Sequence, residues 1–162
     1  MIAIHASAKV SPLADIEDSV RGTRIDISEG VVIDAFVKIK PVGGVGDVFI
    51  GPDSVINSGC VLYSGNGIRM GRGVLVAANC TFAPVNHEYA RRDVPIAKQG
   101  FRAGKGGIVI GDDVWIGANC VILDGAQIGD GCVVAAGSIV RGALEAYGVY
   151  GGNPLARLGE RK

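Results

Sequence analysis

An aliphatic residue returns at every sixth position between residues 110 and 140, at Ile110, Ile116, Ile122, Ile128, Val134 and Val140. A helix repeats near 3.6 residues and a half-buried strand every two, so neither alone produces this spacing. Glycine follows directly at Gly111, Gly117 and Gly129, and a small residue stands four places after the aliphatic one, at Val114, Cys120, Ala126, Cys132 and Ser138. Shorter runs of the same unit occupy Ile4, Val10 and Ile16, then Ile25, Val31 and Val37, then Ile50, Ile56 and Leu62, then Met70, Val76 and Phe82. The phase jumps near 17–24, 38–49 and 64–69, where "GGVGD" and "SGNG" are turn-rich, and one long break at 88–107 precedes the cleanest run.

Six residues suffice for a short strand and a corner, with the aliphatic and small residues pointing inward and Gly, Asn or Asp at the bend. Repeats this numerous predict a solenoid, in which each coil buries its apolar edge only by stacking on its neighbours as parallel strands. The reading is one all-β domain over residues 1–162, with a protruding loop at 88–107 and a short tail or helix at 143–162. Period alone leaves the hand open, since parallel crossovers are generally right-handed.

The interior must be built from Val, Ile, Ala and Cys, because aromatics make up only 6% of the chain. All four cysteines, Cys60, Cys80, Cys120 and Cys132, fall at the small inward slot, and no Cys-x-x-Cys pair exists. They read as buried small hydrophobes, not as zinc ligands or disulfides. Sixteen basic residues balance sixteen acidic ones, which gives no global field for nucleic acid or an anionic membrane. With no signal-like N-terminus and no long apolar run, the expectation is a soluble cytoplasmic protein without an integral membrane segment.

"IGDDVWIGANCVILDGAQIGDGCVVAAGSIV" followed by "GNPLAR" resembles the hexapeptide-repeat acyltransferases, and "NHEYARRDVPIAKQG" before it strengthens the likeness. Within that family the chain is most similar to the sugar and lipopolysaccharide O-acetyltransferases of the maltose and galactoside type. The resemblance implies a left-handed parallel β-helix, a three-sided prism, that joins as a homotrimer with active sites between subunits. It also implies acetyl-CoA as co-substrate, a sugar or glycan hydroxyl as acceptor, and no metal.

Moving an acetyl group from a thioester to a hydroxyl requires a base for the hydroxyl proton, and imidazole suits that task. Of the two histidines, His5 and His87, only His87 stands where the resembling enzymes carry their base, just before the long loop. Asn86 and Glu88 are candidates to orient it. Trp115, the sole tryptophan, occupies an outward slot, and the resemblance sets it against acceptor and pantetheine beside the His of an adjacent subunit. Asn57 and Tyr63, on earlier coils, are further acceptor candidates. Coenzyme A would run along backbone at Gly117, Ala118, Ala136 and Gly137. Arg141 and Gly142 replace the usual Thr-Lys pair, so Arg141, Arg157 and Arg161 are the candidates for its phosphates.

Other acceptors fit the same residues: an antibiotic hydroxyl, as in chloramphenicol-type enzymes, or the amine of a nucleotide sugar. A γ-type carbonic anhydrase shares the prism but needs three imidazoles, which two histidines per chain supply poorly. A catalytically silent scaffold would need neither His87, nor the loop, nor Trp115.

Overall fold

The computed structural model describes residues 1–162 as three parallel sheets visited in rotation. The first face stacks Ile2–Ile4, Ile25–Ile27, Val48–Ile50, Ile68–Met70, Ile108–Ile110, Gln127–Ile128 and Ala143–Leu144. The second stacks Lys9–Val10, Val32–Ile33, Val55–Ile56, Leu75–Val76, Trp115–Ile116, Val133–Val134 and Gly148–Gly151. The third stacks Asp15–Ile16, Lys38–Lys40, Val61–Tyr63, Thr81–Ala83, Val121–Leu123 and Ile139–Val140. Helix is confined to one 3-10 turn, Ile96–Lys98. No helix is long and apolar enough to cross a membrane.

The register shows what the six-residue period measures. From the first face to the second, and from the second to the third, every coil takes six residues: Ile110, Ile116 and Ile122 lie directly over Met70, Val76 and Phe82. The corner from the third face back to the first is variable. It spans 11 residues from Ile16 to Ile27, 11 from Ile39 to Ile50, and 8 from Leu62 to Met70. It then spans 28 from Phe82 to Ile110, 6 from Ile122 to Ile128, and 4 from Val140 to Leu144. All phase changes therefore fall on one edge of the prism.

Three sequence expectations need correction. In the second coil the repeating slot is Ile27, Ile33 and Ile39, not Ile25, Val31 and Val37. Both sets are buried, because residues two apart on a strand face the same side. Lys38–Lys40 is likewise in phase, so the jump there begins at residue 41. The C-terminal segment is not a helix. The four-residue step at Val140 hides a further coil through Tyr150, and Ala156–Glu160 then folds back antiparallel on Gly148–Gly151.

One continuous core runs up the prism axis, with Phe82 its largest fully buried side chain. All four cysteines are free and buried. Each thiol donates to a corner carbonyl of the next coil: Cys60 to Ala77 (3.1 Å), Cys80 to Gly117 (3.1 Å), Cys120 to Ala135 (3.2 Å) and Cys132 to Glu145 (2.9 Å). The small slot thus satisfies a carbonyl that the sheet leaves free. Hydrogen bonding with Cys80, then burial, raises the pKa of the Cys120 thiol, and burial raises that of Cys132.

Candidate active site

The longest corner, between Ala83 and Ile108, is where the chain leaves the prism. The strand ends at Ala83, Pro84 O still accepts from Asn66 N on the coil below (2.9 Å), and the two legs of the excursion pair before they diverge. Arg102 N donates to Asn86 O (2.9 Å), Glu88 N donates to Gly100 O (3.0 Å), and His87 bridges Phe101. His87 is exposed at this root, with the Phe101 ring 4.6 Å from its own, centroid to centroid, at 39°. Neither ring nitrogen has a hydrogen-bond partner within the chain, whereas His5, on the end coil, meets Ser7 Oγ at 2.9 Å.

Of the expected orienting neighbours, Glu88 is otherwise engaged. The Glu88 carboxylate accepts from Tyr89 N (2.8 Å) and Ala90 N (3.0 Å) and faces Arg102 at 3.6 Å. The Ala90 and Tyr89 amides, then the Arg102 charge, hold its carboxyl below the usual range. Glu88 therefore ties the loop and does not touch the imidazole. Asn86 joins the loop root through its backbone carbonyl.

Trp115 is half exposed, in line with Leu75 and Val133 on the second face. The loop leaves the edge opposite that face, so one chain does not bring His87 and Trp115 together. Asn57 donates from Nδ2 to Val76 O (2.7 Å) and fastens a corner. Tyr63 is half-buried beside Lys40, one coil before the loop.

Of the expected coenzyme positions, Ala118 is half-buried and Ala136 exposed on one edge. Gly117 is buried, and a Cβ there would lie 2.5 Å from Ala136 N, so coil stacking itself requires glycine at this position. Gly137 turns a corner at φ +72° with open space outside it. Arg157 is held by Glu145 (2.9 Å) and Glu160 (3.6 Å), and Arg161 by Asp113 (2.9 Å). Arg141 is exposed and makes no ion pair.

Besides Phe101, two features escaped the sequence reading. A shallow groove of about 220 Å³ lies on the first face beside the loop's return leg, where Arg69 stacks over Phe49 at 5.0 Å. The other is Asp124, a buried carboxylate directly over the loop base.

Comparison with known proteins fits this architecture. Residues 107–142 match the family described as bacterial transferase hexapeptide (six repeats). The hexapeptide repeats of residues 107–142 are thus part of a left-handed parallel β-helix. It is similar to a probable macrolide acetyltransferase of Lysinibacillus sphaericus, 49% identical over 57 residues, 35% of this chain and 32% of that protein. It is also similar to the putative lipopolysaccharide biosynthesis O-acetyl transferase WbbJ of Escherichia coli K12, 29% identical over 130 residues, 77% of this chain and 63% of that one. The chain thus spans less than two thirds of these curated relatives. Among solved structures, a point mutant of AntD, an N-acyltransferase from Bacillus cereus in complex with dTDP-4-amino-4,6-dideoxyglucose and coenzyme A, superposes with a TM-score of 0.83. The two are 25% identical, covering 99% of this chain and 84% of that one.

Proposed function

We propose that the chain is an acetyl-CoA-dependent acetyltransferase that acetylates a hydroxyl of a sugar or polysaccharide precursor. The observation that carries this reading is an exposed imidazole at the root of the longest excursion of a hexapeptide-repeat prism. In the reaction the acceptor oxygen attacks the thioester carbonyl while His87 takes its proton. The C–S bond then breaks, and the proton passes from the imidazolium to the departing thiolate of coenzyme A. Trp115, Asn57 and Tyr63 would meet the acceptor or pantetheine, and the Ala118–Ala136 edge would carry the cofactor. Arg141, unlike Arg157, is free to meet its phosphates. The likeness to WbbJ favours a hydroxyl acceptor and the likeness to AntD a nucleotide amino sugar.

A thiol-release assay with acetyl-CoA separates these. Release is expected with sugars or nucleotide sugars bearing free hydroxyls. Faster release with an amino nucleotide sugar would move the reaction to N-acetylation, and preference for a macrolide or chloramphenicol would make the acceptor an antibiotic. No release with any acceptor would leave the scaffold reading.

The opposed positions of His87 and Trp115 lead to an assembly: a homotrimer with each site uniting His87 of one subunit with Trp115 of the next. Sedimentation should give a trimer. Inactive His87→Ala and Trp115→Ala chains, mixed by denaturation and refolding, should regain about a quarter of wild-type activity, because a quarter of intersubunit sites then hold both native residues. An active monomer, or mixtures that stay dead, would contradict this.

A further inference from the structure

We infer that Asp124 is a positioning residue that sets the His87 imidazole from a distance, through the return leg of the loop; its effect on turnover rests on the reading of His87 as base. Asp124 is 6% exposed and has no cationic partner. Its carboxylate instead accepts from three amide donors: Lys105 N (2.7 Å), Gly107 N (2.9 Å) and Asn66 Nδ2 (3.2 Å). A buried carboxylate costs several kcal/mol unless such donors satisfy it. Here they come from the end of the loop and from the 8-residue corner one coil below it.

The return leg is therefore held at two points. At 105–107 it is bound by Asp124, and Gly125 N also donates to Gly107 O (2.7 Å). Near Gly104 it lies against Asn66, where a Cβ would meet the side-chain amide at 2.4 Å. At 100–102 it pairs with 86–88, and there Phe101 lies against the His87 ring. His87 has no hydrogen bond within the chain, and the Phe101 ring, 4.6 Å from its own, is the aromatic neighbour it lies against. Releasing the lower anchor leaves the segment that carries Phe101 held only by its pairing with 86–88, where its ring can shift against the imidazole.

The two histidines give separate aromatic proton signals in NMR, and His87→Ala assigns them. In the native protein the His87 signals should be displaced by the Phe101 ring current, and His5 serves as the internal reference. Asp124→Asn, which keeps volume but offers one acceptor oxygen for three donors, should collapse that displacement and leave His5 unmoved. Phe101→Leu should do the same with the anchor intact, and Asn66→Ala, which removes one of the three donors and leaves the carboxylate in place, should reduce the displacement if the Asp124 variant does not fold; unmoved His87 signals there would overturn the inference as well. Turnover in Asp124→Asn should fall by about ten- to a hundredfold, as expected of a misplaced catalytic group, with KM for acetyl-CoA little changed. Unmoved His87 signals in Asp124→Asn, or an equal change in His5, would overturn the inference. Retained turnover in His87→Ala would sink the functional reading alone, since the NMR displacement is read without substrate.

Discussion

Replacing His87 by Ala is expected to lower turnover by about two to four orders of magnitude, the usual worth of a general base. Binding of acetyl-CoA should survive, because the proposed cofactor edge is a different edge of the prism from the one that carries the loop. The direct-attack mechanism also requires that no acyl-enzyme forms. The four thiols are buried and donate to backbone carbonyls; upward shifts at Cys80, Cys120 and Cys132 disfavour thiolate, and Cys60, lowered by hydrogen bonding with Cys80, is wholly shut off from solvent. Labelled acetyl-CoA should therefore leave no label on the protein. Label on a cysteine would end this mechanism.

Phe82→Ala should cost about 3–5 kcal/mol of unfolding free energy, the range for removing a buried phenylalanine from a packed core. Phe82 lies between Leu62 and Ile122 in one inward column and is wholly buried, so its ring has no route to solvent and the hole has rigid sheet on its sides. Phe82→Leu matches the side chain one coil below and should cost far less. Denaturant midpoints at a fixed protein concentration measure both, since subunit association contributes to apparent stability. Because each coil is stabilised only by its neighbours, the Ala variant should also weaken the strand from which the loop departs. Equal midpoints for the two variants would show that this column is not the continuous core described.

The solenoid and its inward cysteines were legible because a fixed step of six leaves the same residue types at the same slot. Register was legible only where that step is unbroken. In the second coil two inward slots are both aliphatic, so Ile25 and Ile27 are indistinguishable by type. After Val140 a corner of four residues takes Leu144 and Tyr150 out of the visible pattern. His87 stood out as a candidate by its place before a long break, where the resembling enzymes carry their base. Phe101 and Asp124 were not, since a loop phenylalanine and an Asp-Gly pair look like ordinary loop and turn chemistry until the coils are stacked. Glu88 was assigned to His87 by adjacency along the chain, whereas its nearest donors are the two amides that follow it.

The variable corner gives the molecule a division of labour between its edges. Two edges act as a fixed gauge: any insertion there would rotate every later side chain off its column. The third tolerates segments from 4 to 28 residues between adjacent coils with no slip of a single pairing. It is thus a natural splice point. A different excursion exchanged between Ala83 and Ile108 would present new chemistry above an unchanged core, provided that its last residues still offer amides to Asp124.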